Sequence, residues 1–228
     1  SLFPKLEGVF DLIYNPAKTQ LLLDGEGLGL LWANGLGMLV AQARAAAERF
    51  LGTAFPDSRV EEITRELERG TKNLLLIGMP GCGKSTVGRE LARRLGRELA
   101  DTDALVEEMA GRSIPELFAR EGEETFRRLE HQALCRVGKE SGLVIAAGGG
   151  IVTPPENRDP MRQNSVVIFL RRPLDLLPTE GRPLSQANDL ARLYEQRLPL
   201  YREAADLEAD NSGTVEQTVS EIIGRLEL

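Results

Sequence analysis

One run limits this chain more than any other: Gly78-Met79-Pro80-Gly81-Cys82-Gly83-Lys84-Ser85 satisfies G-x-x-x-x-G-K-[ST]. Its glycines let the backbone curl so that several N–H groups converge on one phosphate. The helix that follows offers its positive end to the same anion. Lys84 is spaced to reach the outer phosphates of a nucleotide, and the Ser85 hydroxyl to ligate Mg²⁺. Both flanks agree with this reading. Leu74-Leu75-Leu76-Ile77 is a fully apolar run, as expected of a strand buried on both faces. Val87, Leu91 and Leu95 line one face of the next helix. A chance glycine-rich turn would carry neither flank. Gly81, Cys82, Gly83, Lys84, Ser85 and Thr86 are therefore the candidate nucleotide-binding set, with ATP and Mg²⁺ as cofactors.

Downstream, Leu143–Ala147 and Val166–Leu170 are further candidate parallel strands, and Glu98–Ala100 is a short one. Val215, Val219, Ile222, Ile223 and Leu226 predict a closing amphipathic helix. Alternating strands and helices imply a doubly wound α/β sheet. Upstream, Val9–Tyr14 predicts a short strand ended by Asn15-Pro16. Leu36–Leu51 predicts an Ala-rich helix with Gly52 just past its end. Val60, Ile63 and Leu67 follow at helical spacing, closed by Gly70. The expected organisation is residues 1–52, a linker with a helix over 53–71, and a second domain over 72–228. Gly25, Gly27 and Gly29 suggest a dinucleotide loop, but Leu30 occupies the third glycine's place and a helical segment, Thr19–Leu23, precedes them instead of a strand. They are expected to form a flexible connector.

Composition narrows the partners. Hydrophobic residues are 42% of the 228, enough for a core, and the net charge is -7. An acidic chain does not draw nucleic acid or anionic lipid through its overall field, so anionic ligands need local cations and backbone donors. Two cysteines, Cys82 and Cys135, are too few for a disulfide framework, which implies reduced thiols and a cytoplasmic location. No apolar stretch approaches the roughly 20 residues of a membrane span, and no signal peptide is visible. Ser1 in place of an initiator Met reads as a fragment or a processed start.

Asp101-Thr102-Asp103 closes the short strand at Glu98–Ala100. Ligands of open α/β sheets sit at the carboxyl ends of strands. Two carboxylates there can divide the work, one facing Mg²⁺ through water, the other accepting a hydrogen bond from an attacking hydroxyl. Taken alone, a D-x-D is more often a solvated turn; its place after a phosphate loop favours the site.

Several stretches together resemble the shikimate kinase family over residues 72–228: GMPGCGKST at 78–86, DTD at 101–103, SIPELFAREGEETFRRLE at 113–130, GGG at 148–150, GRPL at 181–184 and RLPLYREAAD at 197–206. The resemblance implies a P-loop NTPase fold of the nucleoside-monophosphate-kinase type, a five-stranded parallel sheet with a lid. It implies phosphorylation of shikimate by ATP with Mg²⁺. Asp103 would hold ring hydroxyls and orient or deprotonate the attacking one. Asp101 would organise Mg²⁺ together with Ser85. Arg127 and Arg197 would clamp the substrate carboxylate, with Glu130 bracing Arg127. Gly148, Gly149 and Gly150 would meet the substrate with bare backbone. Arg182 would come from the lid to the phosphates, joining Lys84 and Asp103 as the catalytic set. Each has a plainer alternative: Arg127 in a solvated Arg127–Arg128 pair, Arg197 paired with Glu195 or Glu203, Arg182 an ordinary loop cation. The physical case for function is collective, since a carboxylated substrate wants bidentate arginine. His131, the single histidine, is expected to be a surface or packing residue.

The family often places an arginine on the adenine side before the lid; here Leu174–Glu180 contains no cation, and Asn211-Ser212-Gly213 also lacks a basic residue. Alternative functions are another small-metabolite P-loop kinase, of gluconate type, or a non-catalytic interaction module. Residues 11–19 and 34–42 resemble the C-terminal end of shikimate dehydrogenase, in which Tyr14 and Gln42 would face shikimate and Gly35–Met38 would lie by the nicotinamide. The family's catalytic Lys and Asp and its dinucleotide loop are absent from residues 1–52. The expectation is an inactive remnant that forms a partial N-terminal α/β segment. Its apolar face would need burial against the kinase or another chain, so self-association is expected through it.

Overall fold

The computed structural model describes residues 3–177 and 187–228, with 187–189 described by their backbone alone. Two compact units divide at Lys72/Asn73.

The first unit is β1 (Gly8–Phe10), α1 (Gln20–Gly27), β2 (Leu31–Ala33), α2 (Leu36–Leu51) and α3 (Asp57–Thr71). The strand expected to run to Tyr14 stops at Phe10. Asp11 turns the chain there: its carboxylate accepts from Ile13 N at 3.0 Å and from Thr19 Oγ1 at 2.6 Å. β1 and β2 pair in parallel, with Val9 opposite Trp32. The connector expected at Gly25–Gly29 is instead largely helix, because Gly25 and Gly27 belong to α1. Gly25 is buried, and a Cβ there would collide with the Val9 side chain, so the glycine lets α1 lie directly on β1. Gly52, left-handed at φ 64°, ends α2 as the sequence predicts.

The second unit is an α/β sheet: β3 (Asn73–Ile77), α4 (Lys84–Leu95), β4 (Leu99–Asp101), α5 (Thr102–Ala110), α6 (Ile114–Val137), β5 (Val144–Ala146), α7 (Arg158–Arg162), β6 (Ser165–Arg171), α8 (Ala187–Ala204), β7 (Leu207–Asp210) and α9 (Val215–Leu226). Its five strands run in the order β4-β5-β3-β6-β7, every pair parallel. β3 is central and all five of its residues are buried, which is why Leu74–Ile77 reads as an unbroken apolar run. The core joins that strand to Val87 and Leu91 of α4, Val144 and Ile145 of β5, Val167–Leu170 of β6, Tyr201 of α8 and Val219 and Ile222 of α9. A smaller cluster (Val106, Leu117, Phe126, Ala133) seats α5 on α6. α6 starts in a Ser113/Glu116 capping box and breaks at Gly122, φ 79°. Because all five strands are parallel, their carboxyl ends open on one edge. The loops and element ends there hold the phosphate run, Asp101–Asp103, Gly148–Gly150, Arg172 and Asn211. Among the described residues, no helix is long and apolar enough to cross a membrane.

Candidate active site

The phosphate loop leaves β3 and returns into α4. Gly83 sits at φ 97°, a backbone conformation that side chains disfavour, immediately before Lys84 begins the helix. A side chain at Gly78 would strike the Leu170 carbonyl and Cys82 Sγ, at 2.7 and 2.9 Å from its Cβ. Lys84 is buried, and its Nζ donates to the carbonyls of Gly78 and Met79, each at 3.0 Å. The ammonium therefore crosses the loop and fixes its curl. Two further residues hold the loop from outside: Asn211 Nδ2 donates to the Cys82 carbonyl at 2.6 Å, and Thr218 Oγ1 donates to Asn211 Oδ1 at 2.9 Å.

Asp101 serves two partners at once. One carboxylate oxygen caps α5 by accepting from Asp103 N at 3.0 Å, while the other accepts from Ser85 Oγ at 2.7 Å. A hydroxyl and a carboxylate side by side, next to a phosphate loop, are the hard oxygen donors that Mg²⁺ takes beside nucleotide phosphates and water. The residues present thus fit that ion.

A second cluster forms around Gly148–Gly150, just past β5. Thr102, fully buried, accepts from Gly148 N at 2.9 Å and anchors the turn. Asp103 Oδ1 and Glu130 Oε1 each lie 2.7 Å from the point where a Cβ on Gly148 would stand, so a side chain there would fill the space between the two carboxylates. Arg127 reaches in from α6, donating from Nη1 to Glu130 Oε2 at 2.7 Å and from Nε and Nη2 to Glu123 Oε1 at 3.2 and 3.1 Å. Its guanidinium lies against Gly150, where any Cβ would collide with it. Arg197 comes from α8 and donates from Nη1 to the Gly149 carbonyl at 3.0 Å. Glu203 pairs with Arg158 instead. Tyr201 Oη donates to the same Gly149 carbonyl, and its ring stacks on Phe169 with centroids 5.1 Å apart.

Glu130 is only 1% exposed, and its Oε1 has no hydrogen-bond partner among the described residues. Burial pushes its carboxyl above the ordinary carboxylate range, against the pull of Arg127. The buried acid holds the Arg127 guanidinium in place while half of its own acceptor capacity stays unmet.

The two clusters meet. Pro80 of the phosphate loop lies against Gly149, its Cγ 2.6 Å from a Cβ position on that glycine. Lys84, Ser85, Asp101, Asp103, Arg127, Gly148–Gly150 and Arg197 therefore gather on one edge of the sheet. Arg182 lies outside the described residues. His131 is a packing residue, its Nδ1 at 2.7 Å from Asn157 Oδ1 and its Nε2 at 3.4 Å from Cys135 Sγ. Sequence reasoning passed over Thr102, Tyr201 and Asn211. Each acts through a backbone carbonyl or amide, and their signal was weak: a polar residue beside a strand end, or a tyrosine inside an apolar stripe.

Comparison with known proteins points one way. The shikimate kinase family model matches residues 80–227. The shikimate kinase of Burkholderia lata is 42% identical over 166 residues, covering 68% of this chain and 90% of its own. Shikimate kinase 2 of an Enterobacter species is 41% identical, covering 69% and 97%. Among solved structures, shikimate kinase from Acinetobacter baumannii in complex with shikimate is 35% identical, with a TM-score of 0.66 and coverage of 72% and 97%. The Aquifex aeolicus shikimate kinase is 31% identical, with a TM-score of 0.62 and coverage of 68% and 96%.

Proposed function

The chain belongs to the shikimate kinase family, and from that premise we infer that it transfers a phosphoryl group from ATP to the 3-hydroxyl of shikimate, giving 3-phosphoshikimate and ADP. The observation that carries this reading is the abutment at Pro80 and Gly149. It puts a nucleotide loop and a carboxylate-plus-arginine acceptor cluster edge to edge.

The chemistry then divides by residue. Arg127 and Arg197 bind the substrate carboxylate; their guanidinium groups come from different helices onto one glycine turn. Asp103 orients the attacking hydroxyl and accepts its proton as the new O–P bond forms and the bond to the ADP oxygen breaks. The loop amides and the Lys84 ammonium stabilise charge spreading over the transferred group. Ser85 and Asp101 would hold Mg²⁺ beside the phosphates, where the ion would supply charge neutralisation. Arg182 is proposed, on resemblance, to add positive charge from the lid. A gluconate-type acceptor also offers a carboxylate to the arginine pair, so the preference for shikimate is carried by family membership rather than by the clamp. Coupled measurement of ADP release with shikimate, with gluconate and without acceptor decides. Turnover only with shikimate is expected; equal turnover with gluconate rejects the assignment.

The first unit we propose to be a shikimate-dehydrogenase-type segment without dehydrogenase activity of its own in these 228 residues. Its parallel β1–β2 pair and its exposed Phe10, Tyr14, Leu31 and Trp32 support this, since parallel strands ordinarily lie buried on both faces. Nicotinamide reduction by shikimate should be undetectable; detectable turnover would overturn the proposal. Self-association through this surface is tested by molecular mass in solution.

A further inference from the structure

β6 ends at Arg171 and Arg172 follows directly, and consecutive side chains of extended backbone point to opposite faces. Arg171 turns outward and pairs with Glu208 at 3.0 Å and with Asp210 at 3.4 Å on β7. Arg172 goes the other way. Its Nη1 lies 3.8 Å from the point where a Cβ on Gly83 would stand, beside the Asn211 amide at 3.0 Å from the same point. It is half-buried, and its Nε is buried with no hydrogen-bond partner among the described residues. A buried guanidinium N–H left without an acceptor is costly, and a usual resolution is an anion or a planar acceptor at hand. No carboxylate among the described residues makes an ion pair with Arg172, although its neighbour Arg171 has two.

The phosphate loop has two ends, and they face different partners. Pro80 meets Gly149 and the acceptor cluster, whereas Gly83 meets Asn211 and Arg172. Arg172 therefore stands on the side of the loop away from Asp103, Arg127 and Gly148–Gly150. We propose that Arg172 holds the nucleoside-monophosphate end of the donor nucleotide, its α-phosphate and base, at the Gly83 end of the phosphate loop. This rests on the kinase reading above. It supplies the donor-side cation that Leu174–Glu180 and Asn211–Gly213 do not contain.

The test uses the full chain and its R172A and R172K variants. The side chain is half-exposed, so folding is expected to survive and is checked by thermal melting. In R172A the dissociation constant for ADP, titrated without shikimate, is expected to rise about tenfold, the scale of one charge-assisted contact. KM for ATP should rise in step, while kcat at saturating ATP and KM for shikimate stay within about twofold. R172K separates the two ways of holding that end: near-wild-type ADP affinity assigns the α-phosphate charge, and an Ala-like loss assigns the planar face of the base. Unchanged ADP affinity in folded R172A overturns the proposal. So does a fall in kcat at saturating ATP with ADP affinity intact, which would move Arg172 to the transferred phosphate. A wild-type chain that binds ADP but does not phosphorylate shikimate would instead sink the functional reading, leaving the ADP titration to decide Arg172.

Discussion

β3 and β2 are both short, apolar, parallel strands that lead into a helix, yet they have opposite fates. All five residues of β3 are buried between flanking strands and helices, whereas all three of β2 are exposed, Leu31 to 80%. The same contrast runs through the two units. The second builds a five-stranded sheet with a large core and a smaller cluster beside it; the first has a two-stranded sheet and displays Phe3, Phe10, Leu28, Leu31 and Phe50. A parallel pair cannot cover its own faces, so apolar strand sequence creates a core only where enough neighbours exist. Every residue proposed for phosphoryl transfer comes from the second unit.

The strongest blow to that division would be activity that survives loss of the phosphate loop's cation. Lys84→Met should lower turnover about a thousandfold or more, because the ammonium stabilises transferred charge. Its Nζ also bridges two loop carbonyls, so the melting temperature must be recorded with the rate. Near-normal turnover in the folded variant would place the chemistry elsewhere. Asp103→Asn comes next: Asn keeps a hydrogen bond to the substrate but cannot take its proton, and a loss of about a hundredfold is expected with ADP affinity unchanged. Wild-type turnover would remove Asp103 from the mechanism.

Packing gives a direct test of the β3–β2 contrast. Leu75→Ala, at a fully buried position of the central strand, should cost roughly 2–5 kcal/mol of stability. Leu31→Ala should change it by no more than about 0.5 kcal/mol. Chemical denaturation of both variants measures this. A large cost at Leu31 would mean that the first unit's surface is covered in solution, which mass measurement would then locate in an oligomer. Smaller again is the clamp. Arg127→Ala and Arg197→Ala should each weaken shikimate binding about tenfold by calorimetry, with ADP binding intact. If neither variant changes shikimate affinity, the two guanidinium groups have another purpose.

Much of the second unit was legible because its chemistry and its burial leave strong marks. The phosphate loop needs fixed residue types, β3 and β6 are buried enough to read as apolar runs, and α4 and α9 show clean helical stripes. β7 escaped because it is an edge strand: Leu207 and Ala209 are buried, while Glu208 and Asp210 face Arg171 and break the run. β2 escaped because nothing in three exposed residues after a glycine turn distinguishes a strand from a loop. α1 was cut short because glycine normally ends a helix, but contact with Val9 rewards the missing Cβ at Gly25. Of the charged candidates, the structure brings Lys84, Asp101, Asp103, Arg127 and Arg197 to one edge of the sheet, while the residues that aim the backbone were not legible. Thr102, Tyr201 and Asn211 act on single amides and carbonyls that only folding brings to them.

The smallest expected effect tests the comparison most sharply. A chain of residues 73–228 should keep turnover per folded molecule within about twofold of the full chain. The core that supports the site is drawn from residues 74–228, with the central strand β3 at its start and α9 at its end. Asn73, the first residue kept, is buried and already tied into this unit: its amide N donates to the Asn164 carbonyl at 2.8 Å, its side chain donates to the Glu140 carbonyl at 2.7 Å, and its Oδ1 accepts from Leu143 N at 2.9 Å. A start at Leu74 would remove those bonds and expose the end of β3, so the cut must fall before Asn73 and not after it. The complementary piece, residues 1–72, offers a two-stranded sheet and few buried side chains, chiefly Leu22, Leu23, Leu36 and Val40, and should lack a cooperative melt when expressed alone. Active 73–228 beside a non-cooperative 1–72 establishes the division between units. A folded but inactive 73–228 would show that the first unit takes part in the chemistry, and a cooperative 1–72 would show that its exposed strands do not mark an incomplete core.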